Sequence, residues 1–206
     1  MSKNKIKTKP DLLASSPAHQ AAIKDKEATY RAWQFNVEDR FKDKTVEQIR
    51  QALRDSCYPF AACMENWTGD FNFSSLCRNA NGFNAKEVFY IGDKKIDRRG
   101  MQGVQNYTDI TWLPSIDDFA KLKERYVLVG IDNVPRATSM FRYCWPRNAL
   151  MIFGSEGTGL TSTVLDMCRD IVSIPMSGSV RSFNAAVASG ISMFDYVSKF
   201  DQLARP

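Results

Sequence analysis

The chain has 206 residues, of which 44% are hydrophobic and 25% are charged. That length and composition suit one globular domain with a small appendage, and they exclude two full domains or a largely disordered chain. The net charge is +5, and all of it falls within residues 1–54, where 12 Lys and Arg stand against 7 Asp and Glu. We call residues 1–54 the basic arm. On charge alone, it is equally consistent with a segment that binds phosphates and with a solubilising tail.

Cysteine and histidine usage narrows the possible chemistry. The five cysteines are odd in number and contain no CxxC pair, which predicts reduced thiols in a cytoplasmic protein. We expect no membrane partner, because no apolar run is long enough to cross a bilayer and the first residues lack a signal peptide. The single histidine, His19, lies far from every motif described below. Histidine-based nucleophiles and zinc sites are therefore disfavoured, and no metal is expected.

The predicted elements begin with helices and continue as alternating strands and helices. An Ala-rich stretch from about residue 17 is compatible with a helix, and Thr45 with Gln48 has the spacing of a capping box that starts a second one. After Pro59, short apolar runs predict strands buried on both faces, at 60–64, 87–92, 126–132, 149–154 and 171–176. Helices are predicted near 73–81, 116–124, 161–169 and 183–199.

This alternation predicts an α/β fold with a mainly parallel sheet flanked by helices. The main domain is expected over residues 55–206, and a basic, partly helical N-terminal extension over residues 1–54. In such sheets ligands bind beyond the carboxyl ends of the strands, so the residues that follow each apolar run are the informative ones.

Two strand-to-helix junctions carry unusual residues. The first, FGSEGTGLTS, has three glycines in six residues, and these let the backbone approach a ligand closely. It is not a phosphate-binding P-loop, because Leu160 stands where that loop needs a lysine. In the second, IPMSGSVRSFNAAVA, Ser182 and Asn184 open a helix at a point where free backbone N–H groups collect. Taken singly, each junction is also compatible with an ordinary turn.

Together the two junctions resemble the second and third signature motifs of the SpoU, or TrmH, family of RNA ribose 2′-O-methyltransferases. The first motif of that family is an Asn followed six residues later by an Arg, and NFSSLCRNANGF supplies it with Asn72 and Arg78. Three motifs in order over roughly residues 58–200 are far more specific than any one of them. The stretch GDKKIDRRGMQGVQNYTDI also resembles a loop of members that modify tRNA.

The resemblance implies a SPOUT-type domain with a C-terminal trefoil knot, a homodimer, and S-adenosyl-L-methionine bound in the knot. The expected catalytic and substrate-orienting residues are Asn72, Arg78, Glu156, Ser182 and Asn184. The expected cofactor-binding residues are Val129, Gly130, Ile131, Gly154, Ile174, Met176, Ser182 and Phe183. The dimer interface is expected on the last helix, at Ala188, Ser189, Met193, Phe194 and Val197.

Methyl transfer from a sulfonium is compatible with the lack of a histidine near the motifs, because a neutral thioether leaves without an acid. The enzyme must align the ribose oxygen with the methyl group and relieve the hydroxyl of its proton. The family proposal makes Arg78 the base, but a guanidinium with a pKa above about 12 is a poor base while charged. Two roles stay open for Arg78. It is either the base, or a pair of hydrogen-bond donors that holds the 2′-oxygen and a phosphate. Glu156 would orient or neutralise it.

The function implied by the resemblance is an S-adenosyl-L-methionine-dependent RNA 2′-O-methyltransferase. A tRNA substrate is expected over rRNA because of the tRNA-type loop and the basic arm. One alternative is a noncatalytic RNA-binding dimer, which the intact Arg78, Glu156 and Asn184 argue against. The other is an enzyme that methylates a base, which the SFN sequence at residues 182–184 disfavours.

Overall fold

The structure is a computed structural model, and it describes residues 37–66, 71–96, 98–155 and 157–204. The chain divides into two compact units, residues 1–42 and 43–206. In the first unit the described residues form one 3₁₀ turn, Asp39–Phe41. The helix expected from about residue 17 lies outside the described residues. The assignment of residues 1–54 to a separate extension stays a prediction.

The second unit contains one sheet of seven strands. The strands are β1 Tyr58–Asn66, β2 Ala85–Gly92, β3 Ile110–Leu113, β4 Val127–Ile131, β5 Thr138–Ser139, β6 Ala149–Phe153 and β7 Asp170–Ser173. Their order across the sheet is β3-β2-β1-β6-β4-β7-β5. Every pairing is parallel, which confirms the predicted α/β class.

Five helices of the second unit accompany the sheet among the described residues. They are α1 Val46–Asp55, α2 Phe71–Gly82, α3 Ile116–Ala120, α4 Ser162–Met167 and α5 Ala185–Ala204, and a 3₁₀ turn, Lys121–Glu124, extends α3. The predicted capping box is confirmed: Thr45 Oγ1 accepts from the Gln48 backbone N–H at 3.3 Å, and Gln48 Oε1 accepts from the Thr45 N–H at 2.9 Å. Hydroxyl caps therefore fix the start of α1, as they do for α3 and α4.

The sheet is buried on both faces, which explains why its central strands read as nearly continuous apolar runs. In β1, Phe60, Ala62 and Met64 belong to the core that α2 and α5 cover. Ala61 and Cys63 belong to the core under α3 and α4. Successive side chains of a strand point to opposite faces, so β1 feeds both layers.

The sequence pattern misses β3 and β5, and both lie at the edges of the sheet. Of the four residues in β3, only Leu113 is buried, and β5 has two residues. Three predicted strands also end early: β4 at Ile131, β6 at Phe153 and β7 at Ser173. As a result, Asp132 and Ile174 leave the sheet at its carboxyl edge.

The long helix α5 corrects the predicted dimer face. Ser189 and Met193 are fully buried inside their own chain, so their assignment to an interface was wrong. Phe194, by contrast, is 63% exposed, and Val187 lies two turns before it and is also exposed. Neither α5 nor any other helix among the described residues is long and apolar enough to span a membrane. The cytoplasmic location stays a prediction.

Candidate active site

A cavity of about 530 Å³ opens at the carboxyl edge of the sheet. The loops that leave β4, β6 and β7 line it, together with the first residues of α5. Parallel sheets bind ligands at this edge, and the volume suits a small molecule or cofactor. The lining residues are Ile131, Asp132, Asn133, Phe153, Gly154, Ser155, Gly157, Thr158, Gly159, Ile174, Arg181, Ser182, Phe183, Asn184, Ala185 and Ala188.

The loop after β6 requires glycine at two positions. A Cβ at Gly154 would lie 2.0 Å from the carbonyl carbon of Gly159, because the loop folds back on itself there. Gly159 has a φ of +68°, and a Cβ on it would lie 2.7 Å from Oδ2 of Asp132. The Gly159 N–H donates to the Ser155 carbonyl at 3.1 Å and closes the turn. The glycines thus bring the backbone itself into the cavity wall.

Two carboxylates hold the end of this loop. Asp132 Oδ2 accepts from the Leu160 N–H at 2.9 Å. Glu65, on β1, is 1% exposed and accepts from the N–H and the hydroxyl of Thr161 at 2.7 and 2.8 Å. Adjacent backbone N–H groups are therefore bound by two acids, one at the end of β1 and one in the loop directly after β4. These bonds tie the glycine loop to the sheet at the point where α4 begins.

The first and third motifs meet through two asparagines. Asn184 Nδ2 donates to Asn72 Oδ1 at 2.9 Å. Asn184 Oδ1 accepts from the N–H groups of Ala186 and Val187 at 2.9 and 3.2 Å, and so satisfies the first turn of α5. Asn72 is buried in α2, and Ser182 is an exposed residue of the cavity wall. Of the predicted catalytic residues, Ser182 and Asn184 therefore line the cavity, and Asn72 is hydrogen-bonded to Asn184.

Most of the predicted cofactor residues come together. Five of them line the cavity: Ile131, Gly154, Ile174, Ser182 and Phe183. Val129, Gly130 and Met176 are not among the described lining residues. Val129 is fully buried in the core, and a Cβ at Gly130 would lie 3.0 Å from Leu160 Cδ1. These two positions therefore pack in the core rather than on the described cavity wall.

The structure leaves the predicted role of Arg78 untested. Arg78 is exposed on α2 and is not among the described residues that line the cavity. Six residues turn an α-helix by about 600°, so the side chains of Asn72 and Arg78 point roughly 120° apart. Glu156 lies outside the described residues. The catalytic roles of both residues stay predictions.

Sequence reasoning missed three residues that shape the site: Glu65, Asp132 and Asn133. Asn133 Nδ2 donates to the Arg181 carbonyl at 2.9 Å and joins the loop after β4 to the loop before α5. Asp132 and Asn133 directly follow the β4 run, where ligand-binding residues of such sheets stand, so their position was a usable signal. Glu65 directly follows an apolar run. A fully buried acid almost always has a partner, so the position of Glu65 was also a usable signal.

The cysteines offer no reactive thiol beside the cavity. All five are free, as predicted. Burial, with a smaller contribution from Glu65, raises the pKa of Cys168 to about 12 and also raises the pKa of Cys63. Both are therefore protonated at neutral pH and are poor nucleophiles.

The fold and the cavity define a parallel α/β domain with a ligand-sized, glycine-lined cavity at the carboxyl edge of the sheet. The SpoU rRNA Methylase family matches residues 59–194, well over half of the chain. The chain therefore belongs to the SpoU family, which confirms the resemblance carried by its three motifs.

Relatives in this family act on different RNAs, according to their names. The chain is 43% identical over 163 residues to the 23S rRNA (guanosine-2′-O-)-methyltransferase RlmB of Haemophilus ducreyi, covering 76% of this chain and 66% of that enzyme. It is 24% identical over 135 residues to the mouse tRNA (guanosine(18)-2′-O)-methyltransferase TARBP1, covering 61% of this chain and 8% of that protein. The chain thus spans less than two thirds of the length of either relative.

Solved structures share the fold. The A. aeolicus TrmH/SpoU tRNA modifying enzyme superposes with a TM-score of 0.68 at 18% identity, covering 77% of this chain and 84% of that one. AviRb from Streptomyces viridochromogenes, in complex with the cofactor AdoMet, superposes with a TM-score of 0.60 at 24% identity, covering 68% and 57%. Both comparisons place the parallel sheet within the fold of SpoU structures.

Proposed function

We propose that this protein is an S-adenosyl-L-methionine-dependent RNA methyltransferase that modifies a ribose 2′-hydroxyl. Family membership supports the reaction class. The observation that carries it is the Asn72–Asn184 hydrogen bond, which joins two motifs 112 positions apart at the rim of one cavity. Residues selected for packing alone would not need to meet beside a ligand-sized cavity.

The residues around the cavity fit the proposed cofactor. Ile131, Ile174 and Phe183 present apolar surface to a flat ring, and the glycine loop exposes backbone groups for polar contacts. Asp132 holds that loop in place through Leu160. The AviRb structure contains AdoMet in the same fold, which supports this choice of cofactor. When bound, the sulfonium supplies an activated methyl group with a neutral leaving group.

The chain's own residues would orient the ribose and handle its proton. Ser182 and Asn184 line the cavity, and Asn184 is held by Asn72 and by the first turn of α5. A side chain fixed in this way can position a hydroxyl at little entropic cost. We assign to Arg78 the contact with the 2′-oxygen or a neighbouring phosphate, either as base or as electrostatic support.

We propose tRNA as the substrate, with rRNA as the second candidate. The A. aeolicus tRNA modifying enzyme shares the fold over 84% of its chain. The basic arm and the tRNA-type loop give the same preference. The 43% identity to a 23S rRNA enzyme is the specific observation in favour of rRNA.

One experiment tests both substrates. Ribose-methylated nucleosides are mapped by mass spectrometry in tRNA and rRNA from cells with and without this protein. Loss of a 2′-O-methyl nucleoside from tRNA supports the proposal, and loss from rRNA selects the second candidate. Unchanged maps in both RNAs would overturn the proposed function.

We also propose that the domain is a knotted homodimer, as the family resemblance implies. The exposed face of α5, with Val187 and Phe194, supports the dimer because large apolar side chains in such positions mark contact surfaces. Phe83 lies next to this face, with its ring centroid 6.5 Å from that of Phe194. A closed dimer would bury both rings.

A further inference from the structure

Helix α2 is tied to the beginning of α5 by two asparagines that lie seven residues apart. Asn72 Oδ1 accepts from Asn184 Nδ2 at 2.9 Å. Asn79 Nδ2 donates to the Ala186 carbonyl and to the Ser189 hydroxyl oxygen, both at 2.9 Å. Seven residues turn an α-helix by about 700°, close to two full turns, so Asn72 and Asn79 share one face of α2. That face is therefore bound at two points to residues 184–189.

The Asn79 amide is fully used by these contacts. An asparagine amide nitrogen carries two hydrogens, and here each has an acceptor. Ser189 is fully buried, and its hydroxyl in turn donates to the Ala186 carbonyl at 2.7 Å. Gly190 leaves room for the amide, because a Cβ at that position would lie 3.3 Å from Asn79 Nδ2. A polar group whose hydrogen bonds are all made fixes one arrangement of its surroundings, whereas apolar packing alone permits small shifts.

The hydrogen bonds close a ring through both helices. The N–H of Ala186 donates to Asn184 Oδ1 at 2.9 Å, and the carbonyl of Ala186 accepts from Asn79. Asn184 donates to Asn72, and α2 itself joins Asn72 to Asn79. The two contact points lie about 10 Å apart along α2, so the ring opposes both sliding and rotation of α2 against α5. Asn72 by itself would leave α2 free to pivot.

Arg78 directly precedes Asn79 on α2. Consecutive residues of an α-helix are about 100° apart, so Arg78 lies outside the face that binds α5, and it is exposed. A shift or rotation of α2 would still move Arg78 relative to Asn184, which lines the cavity. Methyl transfer needs its reacting groups in line, and a misplacement of about 1 Å can lower a rate about a hundredfold.

We infer that Asn79 is a positioning residue for methyl transfer. Asn79 is not among the described residues that line the cavity, so it acts through the residues that it holds in place. It fixes the helix that carries Arg78, and through Ala186 it fixes the segment that carries Asn184. The inference rests on the proposed function, because it gives Asn79 a part in the reaction of that same site.

Two alanine variants of the full-length protein form the test. Asn79→Ala removes both hydrogen bonds to α5. Asn81→Ala is the matched control, because it removes the same amide from the same helix, and Asn81 Nδ2 donates to Thr108 Oγ1 at 3.1 Å rather than to α5. Both asparagines are half-buried in α2, so the two substitutions change helix propensity equally. Urea titrations record the stability of each variant.

The rate of methyl transfer is measured in single turnovers, with tRNA and 23S rRNA from cells that lack this protein. RNA and S-adenosyl-L-methionine are both saturating, so that differences in affinity do not enter the rate. Asn79→Ala is expected to lower this rate about tenfold. Its S-adenosyl-L-methionine affinity, measured by calorimetry, is expected to match the wild type. Asn81→Ala is expected to keep the wild-type rate even where it loses stability.

Gly190→Ala perturbs the same contact without removing the Asn79 amide. Its Cβ would lie 3.3 Å from Asn79 Nδ2, so the amide has to move. Alanine is favoured over glycine inside a helix, and stability is therefore expected to be retained. The rate is expected to fall about threefold, because the displaced amide shifts α2 against α5. A loss of rate without a loss of stability separates positioning from a merely structural role.

A wild-type rate in Asn79→Ala overturns the inference. An equal loss of rate in Asn81→Ala also overturns it, because general loosening of α2 would then explain both results. If Asn79→Ala does not fold, Gly190→Ala decides, and a wild-type rate in that variant overturns the inference. A wild type that methylates neither RNA overturns the proposed function and the positioning role with it. An active wild type with equally active variants overturns the positioning role alone.

Discussion

At the scale of single residues, side chains that bind the backbone set the shape of the cavity. Asp132 and Glu65 hold consecutive N–H groups at the end of the glycine loop, and Asn184 holds two N–H groups of α5. Each of these bonds joins segments that the sequence keeps far apart or turns sharply. The cavity wall is therefore preorganised before any ligand arrives, which lowers the entropic cost of binding.

Gly154→Ala is expected to destroy the glycine loop, because its Cβ would lie 2.0 Å from backbone that cannot rotate away. We expect the free energy of unfolding to fall by about 3 kcal/mol or more, as for severe overpacking. Gly178→Ala is the matched control, since a Cβ there meets nothing within 4 Å. Urea titrations of both variants make the comparison, and equal stability would contradict the packing described here.

Arg78→Ala is expected to abolish methyl transfer while leaving S-adenosyl-L-methionine affinity nearly unchanged. Arg78 is exposed on α2 and is not among the described residues lining the cavity, so its loss should not disturb the wall. Single-turnover assays and calorimetry separate the two quantities. Wild-type turnover by the variant would contradict the assigned role of Arg78. A large loss of cofactor affinity would indicate that Arg78 has a structural role instead.

At the scale of elements, caps and buried strands could be predicted from the sequence, but the contacts between distant elements could not. Thr45 with Gln48 carries a local signal, and the apolar runs of β1 and β6 reflect burial on both faces. The exposed edge strand β3 has no such run. The Glu65–Thr161 and Asn72–Asn184 bonds depend on which strands become neighbours, and local periodicity does not encode that order.

Helix α1 is predicted to loosen from the sheet in acid. Partial burial raises the pKa of Asp109, but hydrogen bonds from Arg54 and Arg50 outweigh burial and leave it below the ordinary value. A carboxylate whose pKa is lowered on folding stabilises the protein above its unfolded pKa, near 4, and loses that effect as pH falls through the folded pKa. The stability difference between wild type and Asp109→Asn should therefore be full at pH 7, decrease as pH falls below about 4, and be lost below the lowered pKa of Asp109. A constant difference in pH-dependent urea titrations would contradict this.

At the scale of the whole molecule, the exposed face of α5 is predicted to form the homodimer. Phe194→Asp places a charge in the centre of that face, and we expect it to convert a dimer into a monomer at micromolar concentration. Phe141→Asp is the control, because Phe141 is 79% exposed and lies on the 3₁₀ turn Met140–Arg142 rather than on α5. Sedimentation velocity reports the mass of each, and a monomeric wild type would rule out the dimer.

The basic arm is predicted to contribute RNA affinity rather than chemistry. The structure shows that a truncation that tests this should not remove all of residues 1–54. Helix α1 buries Ile49, and Asn84 Nδ2 donates to the Leu53 carbonyl, so removing residues 1–54 would damage the main domain. Truncation after Lys42, at the boundary of the compact units, spares α1. Residues 1–42 hold 9 Lys and Arg against 5 Asp and Glu, a net charge of +4.

Each phosphate that the arm neutralises adds about 0.7 to 0.9 to the slope of log affinity against log salt. Removing residues 1–42 is therefore expected to lower the slope for tRNA by several units and to leave S-adenosyl-L-methionine affinity unchanged. Salt titrations of tRNA binding by the full-length and truncated proteins measure this. Identical slopes would show that the arm is a solubilising tail, because a segment that meets no phosphate releases no counterions.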